Sequence, residues 1–242
     1  MVLENHNLIM IPKIIHYCWF GRKPKPKSVL RYIQTWKDKM PDYEIKEWNE
    51  SNFDIGIFTF VKEAYDNKKY AFVSDVCRLY ALYVTGGIYF DTDVEVLKNF
   101  DVFLSNKMFL GLEDDKSRRI GTSVIGAEPR NQFIQKCLEY YKDISFVNAG
   151  GNLNTTPNTL VISEILSDNA WNDVKVYDMD YFSPINFDTK RIFVTKNTYS
   201  IHHFSGTWLP KYRQNESRFW SMLGLDDKQI LFRIFRKLHL AQ

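Results

Sequence analysis

Apolar positions along this chain fall into short runs, separated by longer stretches that follow helical spacing. Ile14 to Phe20 is apolar and stops at Gly21, so it predicts a first buried strand. The Lys23-Pro24-Lys25-Pro26-Lys27 stretch that follows is a stiff, solvated loop. Ser28 to Met40 predicts a helix halted before Pro41, and the alternating Tyr43 to Trp48 predicts a second strand. Val61 to Asp66 reads as helical. Phe72 to Val84 carries the clearest helical pattern: Phe72, Val76, Leu79 and Tyr83 recur on one face, and Gly86 stands just past the end. Gly86-Gly87 then reads as a tight turn opening into a short buried strand, Ile88 to Phe90.

Beyond it, Met108 to Leu112 and Thr122 to Ala127 predict strands, and Arg130 to Tyr141 a helix. Asn148 to Asn158, rich in Gly, Asn and Thr, predicts a loop. Val174 to Tyr177, Ile192 to Thr195 and Ser200 to Phe204 predict late strands. Strands alternating with helices imply an α/β sheet, mostly parallel in its first half. No internal repeat or linker divides the chain, so residues 1–242 are read as one domain.

Composition narrows the class without naming a function. Apolar residues make up 45% and charged residues 25%, as in an ordinary soluble globular protein. A net charge of +3 is too small to argue for nucleic acid as a partner. Aromatics reach 16%, which would serve base or sugar stacking, although most such rings belong to a core. Cys18, Cys77 and Cys137 are widely spaced with no CxxC, which fits reduced thiols, a cytoplasmic setting and no zinc site. The first ten residues carry Glu4 and no long apolar run, so no signal peptide is read there. The Asn154 and Asn215 sequons are read as chance.

The candidate chemistry centres on Asp91-Thr92-Asp93, directly after the Ile88 to Phe90 strand. In an extended chain, side chains alternate with period two, so both carboxylates point the same way. Such a pair can share one hard divalent cation and, through it, a pyrophosphate. The plain alternative is a polar strand end with Asp at a turn. Asp75 and Arg78, three apart on the clearest helix, are either a surface ion pair or a carboxylate and guanidinium offered to hydroxyls or phosphate. Far downstream, His202 and His203 precede Phe204-Ser205-Gly206-Thr207-Trp208. One neutral imidazole there could complete a metal site, and strand alternation cannot bring both to one ion. Trp19 ends the first strand, where open α/β sheets place ligands.

The order Trp19-x-Gly21, Ser74-Asp75-x-x-Arg78, Gly86 through Asp93 and His203-x-x-x-x-Trp208 resembles glycosyltransferase family 32. That family includes capsular-polysaccharide sugar transferases and yeast mannosyltransferases, and it is similar to the catalytic domain of the large glucosylating toxins. The resemblance spans about Ile11 to Trp208. It implies a GT-A fold, with a mostly parallel central sheet flanked by helices. It also implies retaining, metal-dependent transfer from a UDP- or GDP-sugar to a glycan or lipid-linked saccharide, with capsule biosynthesis as the setting. Residue by residue, it implies Asp93 on Mn²⁺ or Mg²⁺, Asp91 shared between metal, ribose and sugar, and Asp75 and Arg78 on donor hydroxyls. It further implies Trp19 stacked on the base, Tyr89 near the nucleoside, His203 as third metal ligand and Trp208 at the leaving diphosphate. The Thr156-Pro157-Asn158-Thr159 stretch resembles a Gly-Pro element of the family, with Thr156 where Gly is expected.

Two other readings stand beside it. One is a glycoside or phosphoester hydrolase, although paired glycosidase carboxylates usually come from separate elements. The other is a non-catalytic nucleotide-sugar-binding module, against which the intact acidic and basic residues argue. The tail, 226–242, places Ile230, Leu231, Ile234, Phe235 and Leu238 on one helical stripe, with Arg233, Arg236 and Lys237 mostly off it. That is the pattern of a basic interfacial helix at an anionic inner leaflet, or of a terminal helix packed on the domain.

Overall fold

The computed structural model describes residues 10–115, 117–168, 170–185 and 191–205. The first half follows the apolar pattern. Strand β1 (Ile14–Cys18) leads through the Pro-rich loop to helix α1 (Lys27–Lys39) and strand β2 (Glu44–Trp48). Helices α2 (Thr59–Asp66) and α3 (Tyr70–Thr85) come next, then β3 (Gly87–Phe90) and a short β4 (Val94–Val96). After a single 3₁₀ turn come β5 (Met108–Asp114), β6 (Arg119–Ala127) and α4 (Gln132–Lys142). The described chain ends with α5 (Asn158–Asp168), β7 (Val174–Tyr177), α6 (Met179–Phe182) and β8 (Ser200–His202).

Among the described residues the main sheet has six strands, in the order β2-β1-β3-β6-β5-β7. β1 pairs in parallel with β2 and β3, and β5 with β7, while β6 runs antiparallel to both its neighbours. Five strands therefore point one way, and their carboxyl ends share one edge. Cys18 ends β1, Phe90 ends β3 and Asp114 ends β5 on that edge. β4 and β8 form a separate antiparallel ribbon, with Val94 opposite His202. Helix α1 closes the other edge of β4. Trp36 Nε1 donates to the Val94 carbonyl at 2.8 Å, and the Val96 amide donates to Thr35 Oγ1 at 3.0 Å.

Apolar side chains pack on both faces of the sheet. One core gathers α2, α3 and α4 around Phe60, Val76, Cys77 and Phe133. The other gathers α1, β4 and α6 around Trp36, Phe90, Val94 and Phe182. Helices on both faces of a mostly parallel sheet are the expected α/β layering.

Several expectations need correction. The stripe Phe72, Val76, Leu79 and Tyr83 is only half buried: Val76 and Leu79 are enclosed, whereas Phe72 and Tyr83 are partly exposed. α3 instead buries Val73, Val76, Cys77, Arg78, Leu79, Ala81 and Leu82, because the sheet lies on one side and other helices on another. A helix enclosed this far round loses a single readable stripe. Ile192 to Thr195 is not a strand; it offers one isolated bridge, Ile192 to Ile185. α5, α6 and β4 have no counterpart in the apolar pattern. β4 has only three residues, and α5 mixes apolar and polar positions without strong periodicity.

The turn between α3 and β3 fixes where the acidic pair stands. Gly86 and Gly87 have φ of +66° and +113°, a region that side chains disfavour. A Cβ on Gly87 would lie 2.6 Å from the Ile14 carbonyl. His16 buttresses this turn: its Nε2 donates to the Gly86 carbonyl at 2.7 Å, and its Nδ1 accepts from Trp48 Nε1 at 3.0 Å. Burial lowers its pKa to about 4, so the ring is neutral and this pattern of donation is self-consistent.

Candidate active site

Asp91 and Asp93 lie in a turn between β3 and β4, and not on a continuing strand. The Val94 amide donates to the Asp91 carbonyl at 3.0 Å, closing that turn. The period-two argument therefore does not apply; the bend itself brings the carboxylates together. Asp91, Asp93 and His202 each offer a ligand atom, all within 4.8 Å of one another. Two carboxylates and an imidazole converging at this spacing suit a divalent cation with open positions.

Each member is held from outside the cluster. Asp93 Oδ2 accepts from both the Ser205 amide and the Ser205 hydroxyl at 2.8 Å. Its Oδ1 faces His202 Nε2 at 3.3 Å. Burial would raise the Asp93 pKa, but His202 and the Ser205 bonds outweigh it and hold the carboxylate well below its usual range. Burial likewise opposes charge on His202, and Asp93 outweighs it, so the imidazole pKa rises above 6.5. His202 Nδ1 is buried and has no hydrogen-bond partner among the described residues. That imidazole is only half wired into the protein.

Asp91 is tied to α3. Tyr89 Oη donates to Asp91 Oδ1 at 2.9 Å, and Arg78 Nη2 approaches the same oxygen at 3.3 Å. Arg78 also pairs with Asp75 at 2.9 Å, donates from Nη1 to the Thr122 carbonyl at 2.7 Å and sits 4.6 Å over the Tyr89 ring. Its side chain is only 6% exposed, so the surface-pair reading fails. A buried guanidinium needs such partners, and the neighbouring Asp91, Tyr89 and Asp75 keep it charged despite burial. Burial raises the Asp75 pKa to about 6; Arg78 opposes the rise and Asp91 adds to it. The two carboxylates share one cation and so do not behave as independent surface acids.

The sequence-derived site residues thus divide. Asp75, Arg78, Tyr89, Asp91 and Asp93 form one connected network. Tyr89 is almost fully buried, so it serves as a brace for Asp91 rather than as a surface open to a nucleoside. Trp19 stands partly buried just past β1, on the same sheet edge, with Nε1 bonded to the Lys23 carbonyl at 2.6 Å. His203 does not join the cluster. Alternation along the chain turns it away, and its Nε2 pairs with Glu95 Oε2 at 2.8 Å. His202 takes the place expected of it. Trp208 and the 226–242 tail lie outside the described residues. In the Thr156 to Thr159 stretch, Asn158 is buried and donates to Tyr141 Oη at 2.8 Å.

Two further contributors were not read from sequence. Ser205 anchors Asp93, from a segment singled out only for its histidines and Trp208. Glu113, near the end of β5, pairs with Arg119 at 3.3 Å. Burial raises its pKa, and it lies within electrostatic reach of His202 and Asp91. No motif marks it, since only the sheet brings it there.

Comparison with known proteins agrees with this geometry. The family described as "glycosyltransferase sugar-binding region containing DXD motif" matches residues 26–110, which hold α1 to β3, the acidic turn and β4. An uncharacterized glycosyltransferase of Acanthamoeba polyphaga mimivirus is 27% identical over 223 residues, covering 83% of this chain and 85% of that one. The initiation-specific α-1,6-mannosyltransferase of Candida albicans is 34% identical over 128 residues, 48% of this chain and 32% of that protein. A mannosyl phosphorylinositol ceramide synthase of Saccharomyces cerevisiae is 31% identical over 143 residues, 55% and 35% of the two chains. The chain therefore spans about a third of either yeast protein's length. Among solved structures, the PaToxG glycosyltransferase superposes with a TM-score of 0.51 at 19% identity, over 66% of this chain and 70% of its own. A glycosyltransferase involved in glycosylation of the PBCV-1 major capsid gives 0.50 at 11% identity, over 85% and 98%. At these identities the likeness concerns the fold, which is of the GT-A type. With these relatives and the acidic turn at the sheet's carboxyl edge, residues 26–110 are identified as matching a DXD-containing glycosyltransferase sugar-binding region, within a chain similar to glycosyltransferases.

Proposed function

We propose that the chain moves a hexose from a nucleotide-sugar to a saccharide acceptor, using Mn²⁺ or Mg²⁺ held by Asp91, Asp93 and His202. The convergence of those three side chains within 4.8 Å carries the reading. A cation bound there would supply positive charge for the departing diphosphate. The protein's own groups prepare the rest. Ser205 and Tyr89 fix one oxygen each of Asp93 and Asp91, so the two carboxylates need little reorganisation to bind. Arg78 is spent on Asp75, Asp91 and the Thr122 carbonyl and acts as a positioning residue. Asp75, next to it, is partly open and ionised above its pKa of about 6, so it can accept a hydrogen bond from a donor hydroxyl. Trp19 offers an aromatic surface for the base on the same edge.

Retention at the anomeric carbon belongs to this proposal through the resemblance to family 32; with no side chain of the network placed as an evident nucleophile, it would proceed on the front face, the leaving phosphate assisting the acceptor hydroxyl. One relative named as a mannosyltransferase and one as a mannosyl phosphorylinositol ceramide synthase make a GDP-sugar the first donor to try. A capsule or polysaccharide setting, and contact of the tail with an inner membrane leaflet, remain parts of the same proposal. No described helix is long and apolar enough to cross a membrane. The test is Asp93→Ala in a transfer assay with Mn²⁺. Activity should fall by roughly a hundredfold or more with the melting transition retained. Full activity in that variant refutes the metal assignment.

A further inference from the structure

From Met10 to Lys37 the chain holds seven basic residues and no acidic one. Its overall net charge is only +3, so the remainder is net negative and this segment stands apart. Two of the seven cations are paired, Lys13 with Asp42 and Asp101, and Lys25 with Glu47. Among the described residues, Arg22, Lys23, Lys27, Arg31 and Lys37 make no ion pair, and all five are exposed. Arg31 has one other contact, with the Tyr32 ring at 5.7 Å. The neighbouring acids are engaged elsewhere. Glu50 Oε1 accepts from the Gly21 amide and the Tyr65 hydroxyl, Glu95 pairs with His203, and Asp38, at the far end of α1, accepts from Gln34.

The fold gathers these cations on one face. The Lys-Pro loop runs directly into α1, where Lys27, Leu30, Arg31 and Gln34 share the outer side, opposite the buried Val29, Ile33 and Trp36. The helix starts with no side-chain cap and no acid in its first turn, so the positive end of its dipole adds to the face. Leu30, 53% exposed, stands among the cations, with Pro24 and Pro26 exposed beside it. Trp19 Nε1 bonds the Lys23 carbonyl, which ties the loop to the sheet edge that carries the acidic turn. A single phosphate needs donors that converge on a point, whereas Lys27 to Lys37 alone spans ~15 Å of helix. An apolar groove on a protein would bury cations without partners. A broad anionic surface with an apolar interior meets both the spread charge and the exposed Leu30.

We propose that the Lys-Pro loop and the outer face of α1 dock the protein on an anionic lipid bilayer, with Leu30 entering the headgroup region. The sheet edge that carries the acidic turn then lies beside the membrane surface. Docking of this kind is independent of the donor chemistry and of the 226–242 tail. The test is co-sedimentation of the full chain, tail intact, with vesicles of phosphatidylcholine alone or with about a third phosphatidylglycerol. Lys23→Gln/Lys27→Gln/Arg31→Gln and Leu30→Ala are compared with the wild type and with a charge-matched control, Lys62→Gln/Lys136→Gln/Lys142→Gln. The control residues are exposed on α2 and α4, which pack on the other face of the sheet from α1. Circular-dichroism melting checks the fold of each protein. The wild type should bind the anionic vesicles and not the neutral ones. The triple variant should bind roughly tenfold to a hundredfold more weakly, Leu30→Ala roughly threefold more weakly, and the control within about twofold of the wild type. Added salt should erase most of the difference between the wild type and the triple variant. Equal binding by the wild type and the folded triple variant overturns the proposal, as does equal binding to neutral vesicles. An equal loss in the control also overturns it, since net charge alone then acts. Unaltered binding by Leu30→Ala overturns the entry of that side chain into the headgroups. Binding to polyglutamate with none to vesicles overturns the bilayer and gives the face to an acidic protein.

Discussion

His202 turns its imidazole toward Asp93, while His203 turns away to Glu95 and Tyr32. Removing each ring should therefore have different consequences. His202→Ala should weaken Mn²⁺ binding by about tenfold to a hundredfold, and His203→Ala should leave it within about twofold. Isothermal titration with Mn²⁺ decides, and equal losses in the two variants count against the cluster. Proton competition gives the same residue a pH signature. Asp93 raises the His202 pKa above 6.5, so the stabilisation from protonated His202 is fully present below pH 6.5 and fades as pH rises through the raised value. Mn²⁺ needs the neutral imidazole and must displace that proton. Its affinity should rise by up to about tenfold per pH unit until the raised pKa is passed, then level off, and His202→Ala should lose this slope. The sequence offered both histidines and the rule that only one could reach the ion. Choosing between them needed the register of β4 against β8, which places His202 opposite Val94.

At the scale of elements, the sheet edge that carries the acidic turn depends on two junctions. Gly87 starts β3 with φ of +113°, and a Cβ there would press on the Ile14 carbonyl at 2.6 Å. Backbone cannot yield as a flexible side chain can, so Gly87→Ala should cost about 2 kcal/mol or more, read as a lowered denaturation midpoint. An unchanged midpoint would mean that the turn relaxes freely. The second junction is Arg78, which ties α3 to β6 through the Thr122 carbonyl and to the acidic turn through Asp91. Arg78→Met leaves Asp75 and Asp91 facing each other without their cation. We expect a loss of ~3–5 kcal/mol near neutral pH, because removing one partner of a buried pair strands the other charge. Burial raises the Asp75 pKa and Arg78 lowers it, so in the variant Asp75 takes up its proton at a higher pH than in the parent, and the loss should shrink as pH falls toward about 6, where the parent's Asp75 also protonates. A pH-independent loss in urea titrations would show that packing, and not stranded charge, is responsible. Spacing announced the Asp75–Arg78 pair. Its burial was not legible there, because α3 is enclosed on more sides than an amphipathic stripe can express.

Across the whole molecule, the parallel strands gather Trp19, the acidic turn and Glu113 on one edge, although 94 residues separate Trp19 from Glu113 in the chain. The β4–β8 ribbon then brings His202 and Ser205 back to that edge from the far end of the described chain. The basic tail at 226–242 lies outside the described residues, and its reading as an interfacial helix is tested on the full chain. Co-sedimentation with anionic vesicles should fall when 226–242 is removed, and equal binding by both forms would dismiss the membrane reading.

What the sequence determined by itself was local. Apolar runs, Gly and Pro punctuation and helical spacing marked most strands and helices of the first half, and the Gly-Gly turn pointed to the acidic pair. Those signals lie within a few residues of what they specify. The tertiary structure alone decided which histidine meets the acids, that Asp91 and Asp93 converge through a turn, that Arg78 is buried and that Glu113 and Ser205 stand nearby. Each of these depends on pairing between segments distant in the chain. Strand register and enclosure set such pairings, and no local period records them.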